Sequence, residues 1–514
     1  FLFPLKKYQI CIVLKLFPEI YSQFFGLNLS LDDAESFQGL MSGTIASYHR
    51  LDDLTEPKLK VHYPRTPGHR PQPNDNKYNA WYWKSEVKGK KKGPLAGKTV
   101  VLKDNVCLAG VPMMNGASVL EGFVPDIDAT IVTRILDAGG TIVGKGANTY
   151  LCFDGGSATP ATGMVENPHK KGYSAGGSSA GTAVLVSTGE ADMGIGGDQG
   201  GSIRIPACWS GIVGHKPTHG LVPYTGVFPI EMTLDHTGPM AKNVTDTAAL
   251  LQAIAGPDGN DPRQIDCKTQ DYLKALSLGV KGMKIAILKE GFGHPESEKI
   301  VDQKVKAAAK SFKSLGATVK EVSIPMHLDG LHIWNAIAVE GATELMLKGN
   351  GFGTNWEGYY TTSLLDAYAR GWRSRPNDLS ETVKTVMMLG EYMHRNYNGR
   401  YYAKAQNLSR KLRQDYDSIL DDFDAIVLPT LPQTATKLPK PDCSREEYVD
   451  TALNMLRNTA PFDCSGHPAI SIPCGSSKSG LPIGMMIVGR RYDDATVLRV
   501  ARAYEKKNGN WKNG

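Results

Sequence analysis

Several signals that would define other protein classes are missing from this chain of 514 residues. No long apolar run approaches the roughly 20 residues that span a bilayer; the early run Ile10 to Leu14 stops at Lys15. A signal-peptide reading stays open there but is weakened, because no A-x-A site follows. The eight cysteines, Cys11, Cys107, Cys152, Cys208, Cys267, Cys443, Cys464 and Cys474, include no C-x₂-C pair. The twelve histidines include no H-E-x-x-H. No metal and no cofactor are therefore expected. Scattered free thiols are read as small buried hydrophobes of a cytoplasmic protein. A net charge of +6 is mild at this length, and the only basic run, Lys84 to Lys98, reads as a solvated linker. Neither nucleic acid nor membrane is an expected partner. No internal repeat is visible.

What is present is the composition of an ordinary globular protein, 41% hydrophobic and 21% charged. The chain starts at Phe1, which reads as a shortened or misassigned start. From about Tyr21 to Asp53 the pattern is helical, and Pro64 to Asn79 reads as an extended linker. Residues 1–80 are thus expected to be a helical extension and linker, and residues 81–514 the main domain. In that domain strands are expected at Thr99–Leu102, Thr141–Gly144, Met193–Gly196, Lys284–Leu288, Thr318–Val322, Ala425–Leu428, Ala469–Ile472 and Ile483–Val488. Helices are expected at Ala129–Ala138, Ser179–Ser187, Val244–Ala255, Lys304–Leu315 and Ala495–Lys506. The alternation predicts an α/β fold, a mixed twisted central sheet with helices on both faces. Residues 334–413 lack strand signals and read as a helical excursion that caps the site.

The most informative stretch is Gly196-Gly197-Asp198-Gln199-Gly200-Gly201-Ser202-Ile203-Arg204. Glycines permit close backbone approach, and consecutive N–H groups turned one way form an anion nest. A serine beside such a nest suits acyl transfer, where a carbonyl oxygen briefly carries charge. Upstream lies Ser174-Ala175-Gly176-Gly177-Ser178-Ser179-Ala180-Gly181, and before it Lys103 in Val100-Val101-Leu102-Lys103-Asp104-Asn105. A lysine acts as a base only when neutral, a form that desolvation favours. The strand leading to Lys103 would bring its amine to apolar surroundings. Taken alone, Lys103 reads first as an exposed cation paired with Asp104, and Ser178 and Ser179 read as a helix N-cap. Asp198 and Arg204 read as an ion pair fixing the loop, or as ordinary surface charge.

Two further patterns are set aside. Gly172-Tyr173-Ser174-Ala175-Gly176 matches G-x-S-x-G but lacks the preceding strand. Gly139 to Lys145 matches a phosphate loop, but Gly146 replaces the hydroxyl residue and Thr141-Ile142-Val143 reads as a strand.

Together the three segments resemble the amidase signature family, over most of the chain from about Gly93 onward. Further family-like stretches are Gly214-His215-Lys216-Pro217-Thr218, Asp235-His236-Thr237-Gly238-Pro239-Met240 and Ala460-Pro461-Phe462-Asp463. The variant at 197–202, with Val111-Pro112-Met113-Met114-Asn115-Gly116, looks most like bacterial amidases of nitrile breakdown. The resemblance implies the amidase-signature fold and a Ser–cisSer–Lys triad of Ser202, Ser178 and Lys103, with a cis Gly177–Ser178 peptide. It implies an oxyanion hole from the backbone N–H groups of Gln199, Gly200, Gly201 and Ser202. Ser179, Asp198 and Arg204 would support the site. Ala180 and Gln199 depart from the commonest letters without removing a catalytic group. The implied activity is hydrolysis of a small carboxamide to a carboxylic acid and ammonia through an acyl-enzyme. Two alternatives stay open: a glutaminase-like subunit of a tRNA-dependent amidotransferase, and a non-catalytic binding protein. The expected partners are a small-molecule amide and, in a homodimer, a second copy of the chain.

Overall fold

Eleven strands form one mixed sheet in the computed structural model, which describes residues 17–509. The run Ile10 to Leu14 and Cys11 lie outside the described residues. The strands are β1 (Trp81–Lys88), β2 (Thr99–Lys103), β3 (Thr141–Gly146), β4 (Met193–Asp198), β5 (Val213–Lys216) and β6 (His236–Ala241). They continue as β7 (Lys284–Leu288), β8 (Thr318–Val322), β9 (Ala425–Pro429), β10 (Ala469–Ser476) and β11 (Pro482–Val488). Their order across the sheet is β1-β3-β2-β4-β6-β5-β10-β11-β9-β7-β8.

All eight expected strands form, and all five expected helices form within a few residues of the expected ends. Three strands went unread. β5 and β6 carry glycine, proline, histidine and lysine where an apolar alternation would announce a strand. Their polar groups find partners instead: His215 Nε2 meets Asp494 at 2.9 Å and Lys216 Nζ donates to the His467 carbonyl at 2.7 Å. β1 overlaps the basic run taken above for a linker. It is an edge strand, antiparallel to β3 and broken by register shifts. Lys88 on it is exposed, which suits an edge that must not pair with another chain.

Burial on both sheet faces follows from strict alternation. Ile285 and Ile287 of β7, Ala425 and Val427 of β9, and Met485 and Ile487 of β11 enter one core. Ala286 and Leu288, Ile426 and Leu428, and Met486 and Val488 enter the other. The first core is closed by helices Thr130–Asp137, Val244–Ile254, Lys299–Ser311 and Asp494–Asn508. The second is closed by Gly330–Ala342 and Arg400–Asp422. These two belong to a run of helices that continues through Thr362–Ser374 and Glu381–Tyr397.

The chain divides into two compact units at Leu59/Lys60. In the first, Leu31–Asp52 is a helix opened by a Ser30–Asp33 capping box. In the second, residues 64–79 are anchored rather than loose. Arg65 grips the buried Asp128 with both terminal nitrogens, and His69 pairs with Lys84 of β1. Among the described residues no helix is long and apolar enough to cross a membrane.

A buried imidazole in the second core carries a pH dependence. Tyr416 donates its hydroxyl hydrogen to His327 Nδ1 at 2.7 Å, and His327 Nε2 donates to Asn458 Oδ1 at 3.2 Å. The neutral ring is satisfied on both sides, and burial lowers its pKa from 6.5 to about 4. Between those values the unfolded ring takes a proton that the folded one refuses. Stability of roughly 3 kcal/mol is therefore present above pH 6.5 and lost as the pH falls toward 4. Urea denaturation of the wild type and His327→Gln across this window should show a steeper acid loss for the wild type. Parallel curves would remove His327 from the account.

Candidate active site

Two parallel strands set the geometry. β2 and β4 run side by side with Val100 opposite Met193 and Leu102 opposite Ile195. Both strands end at the same edge, so Lys103 arrives beside Gly197. The carboxyl ends of parallel strands are where open α/β sheets place their sites. The helix Ala180–Thr188 packs over these strands, and its approach requires glycine beneath it. A methyl on Gly194 would lie 2.4 Å from Thr182 Cγ2. The segment that enters this helix delivers Ser178 to the same strand ends.

Lys103 is fully buried, and its Nζ donates to Ser178 Oγ at 2.6 Å and to the Gly197 carbonyl at 3.4 Å. It has no ion-pair partner among the described residues. The reading of Lys103 as an exposed cation held by Asp104 is overturned, because Asp104 turns to Lys145 on β3 at 3.0 Å. Asp104 also accepts from the amides of Met114 and Asn115. The Gly177–Ser178 peptide is cis.

Ser179 occupies the N-cap position of its helix but caps nothing. Its hydroxyl crosses to Gly197, donating to the carbonyl and accepting from the amide, both at 3.2 Å. The Ser179 amide donates to the Ser202 carbonyl at 3.3 Å. This network ties the segment carrying Ser178 to the strand end and to the turn carrying Ser202. The two hydroxyls of Ser178 and Ser202 are not bonded to each other. The Ser202 hydroxyl binds nothing among the described residues, and the residue keeps 7% of its surface exposed.

The turn 199–202 is held from behind. Trp334 Nε1 donates to the Gln199 carbonyl at 2.5 Å and Thr459 Oγ1 donates to the Gly200 carbonyl at 2.6 Å. The backbone amides of Gln199, Gly200, Gly201 and Ser202 donate to no acceptor among the described residues. Carbonyls bound to protein and amides left free describe an anion nest. The packing behind the turn demands glycine: a methyl on Gly200 would meet the Trp334 ring at 2.7 Å, and one on Gly201 would meet Thr459 Oγ1 at 2.5 Å. The Gln199 side chain turns away to donate to the Tyr224 hydroxyl at 2.8 Å.

Asp198 and Arg204 bracket the turn, and the surface-charge reading fails for both, since neither is exposed. Asp198 takes Arg204 Nη2 at 2.9 Å and Nε at 3.0 Å, and also accepts the Ile203 amide. Arg204 reaches on to Asp463 at 2.6 Å and to the Thr459 carbonyl at 2.9 Å. Burial opposes ionisation of both carboxylates. The guanidinium fork overcomes it at Asp198, which sits well below the usual range. Burial and the neighbouring Asp198 charge push Asp463 well above it. Asp463 lay in a stretch singled out from sequence without a role, whereas Trp334, Thr459 and Tyr224 gave no local signal. Among the described residues no group of acidic, histidine or cysteine side chains could hold a metal ion.

A buried lysine on a serine hydroxyl, next to a second serine whose turn offers free amides, is an arrangement that can support attack on a carbonyl carbon. Residues 72–498 match the amidase family. The chain is similar to an enantioselective amidase of Rhodococcus rhodochrous, 46% identical over 95% of this chain and 94% of that protein. It is also similar to a glutamyl-tRNA(Gln) amidotransferase subunit of Lysinibacillus sphaericus, 37% identical over 82% of this chain and 85% of that protein. Among solved structures, native peptide amidase of Stenotrophomonas maltophilia superposes with a TM-score of 0.68 at 27% identity, over 82% of this chain and 84% of that one. The chain belongs to the amidase family.

Proposed function

We propose that the chain hydrolyses small carboxamides to a carboxylic acid and ammonia through an acyl-enzyme on Ser202. The observation that carries this reading is the 2.6 Å contact from the buried Lys103 amine to Ser178, beside the free amides of the Ser202 turn. Ser202 Oγ attacks the amide carbonyl while Ser178 accepts its proton. The oxyanion of the tetrahedral intermediate is held by the amides of Gln199, Gly200, Gly201 and Ser202. Ser178 passes a proton to the leaving nitrogen and is re-supplied through Lys103. Water then enters by the same relay and frees the acid. Asp198 and Arg204 keep the turn in register, and Trp334, within the helix Gly330–Ala342, makes that helix the back wall of the nest. The scattered thiols support a cytoplasmic setting.

The test is hydrolysis of a panel of amides graded in acyl size, benzamide and propionamide included, by the purified chain alone. Fluorophosphonate labelling of Ser202 is followed in parallel. Release of ammonia without any added subunit is expected. Similarity to amidotransferase subunits favours one competing reading, in which the chain is a glutaminase that waits for a partner. An inert isolated chain that labels poorly would turn the conclusion that way.

The nest makes its own prediction. Gly200→Ala places a methyl against the Trp334 ring and must displace the turn. Loss of one oxyanion donor typically costs about 10²–10³ in rate. kcat should fall by that order with KM little changed, and steady-state kinetics on one panel amide would register it. Wild-type kcat would remove the amides of this turn from the mechanism.

A further inference from the structure

One buried carboxylate close to the site has no cation and no assigned task. Asp154 is 2% exposed, and no lysine, arginine or histidine pairs with it among the described residues. It accepts the Gly156 amide on one oxygen and the amides of Ala158 and Thr159 on the other, at 2.8 and 3.0 Å. An acid with only neutral donors is an expensive thing to bury, so these bonds shape the turn 154–159. That turn contains a non-glycine residue in the left-handed region, Ser157 at φ 62°.

The turn faces the segment that carries Ser178, and grips it repeatedly. The Gly177 amide donates to the Gly155 carbonyl at 2.7 Å. The Thr149 amide donates to the Ser178 carbonyl at 3.2 Å, and the Thr149 hydroxyl donates to the Asp154 carbonyl at 3.0 Å. The Ala175 amide donates to Ser157 Oγ at 3.1 Å, and Ser174 Oγ donates to the Gly156 carbonyl at 2.5 Å. The approach is close enough that a methyl on Gly177 would lie 2.4 Å from the Asp154 carbonyl oxygen. Both sides of the Gly177–Ser178 peptide are therefore held by residues 149–157.

We propose that Asp154 is a positioning residue for Ser178: its carboxylate gathers three amides into a turn whose Gly155 carbonyl, with the Thr149 amide, fixes the peptide that aims the Ser178 hydroxyl at the Lys103 amine. Asp154 touches neither substrate nor the reacting atoms. The inference rests on Ser178 acting as the proton carrier.

The test uses the full chain and an amide the wild type turns over. Asp154→Asn keeps the size but turns an N–H₂ toward one set of amides. It is expected to lower kcat about 30- to 100-fold, with KM within threefold, and to slow fluorophosphonate labelling of Ser202 by a similar factor. A purely structural role would lower the denaturation midpoint and leave kcat of the folded fraction intact. Thr149→Val, which removes only the hydroxyl bond to the Asp154 carbonyl, should lower kcat about 3- to 10-fold. It decides the matter if Asp154→Asn fails to fold. Wild-type kcat and labelling in the folded Asp154→Asn, or in Thr149→Val, overturn the inference. A wild type that neither labels nor hydrolyses any amide overturns the function itself.

Discussion

Ser202→Ala is expected to remove measurable amide hydrolysis, a loss of at least about 10⁴-fold, and to abolish fluorophosphonate labelling. Ser178→Ala and Lys103→Ala should each approach the same floor. The reason is geometric. Lys103 has one close hydrogen-bond partner, Ser178, so without either the route for the Ser202 proton is cut. Effects of groups that work as a unit are not additive, and the double variant should be scarcely worse than the singles. Single-turnover rates on one amide, with all three variants checked for native denaturation midpoints, would measure this. Multiplying losses in the double variant would show that Lys103 and Ser178 act independently, against the relay.

The second large effect concerns stability. Arg204→Met should destabilise the folded chain by about 3–5 kcal/mol, because Asp198 then stays buried as an uncompensated charge. Arg204 meets two carboxylates and the Thr459 carbonyl, and none of these groups can reach water without moving the turn. Methionine keeps the apolar stem but ends short of the guanidinium, so the loss combines charge and hydrogen bonding with the space the fork vacates. Guanidinium denaturation should show a clear fall in midpoint, and the folded remainder should have a lowered kcat. An unchanged midpoint would mean that the network contributes specificity of geometry without stability.

How far the chain could be read before folding depended on which physical signal each residue gives. β7, β9 and β11 announced themselves through β-branched and aliphatic runs bounded by polar turns. β5 and β6 did not, because Lys216, His215 and His236 are buried through hydrogen bonds that only the folded sheet supplies. β1 was hidden by the lysines that protect an edge. At the site, Ser178 and Ser202 stood out through their glycine context, whereas Lys103 was marked only by the resemblance to the amidase signature family. Their support came from the far end of the chain: Thr459 and Asp463 hold the 199–204 turn from more than 250 positions away. The choice at Lys103 between partners Asp104 and Ser178 was open in the sequence. Lys145, which takes Asp104, settled it in the fold.

That long reach has a consequence for biosynthesis. A ribosome emits Ser202 well before Thr459 and Asp463, so the nascent protein carries the serine proposed as nucleophile while the brace behind it does not yet exist. Products of termination between residues 203 and 458 would keep Lys103, Ser178 and Ser202 without the Thr459 and Asp463 brace, and are expected to be inert.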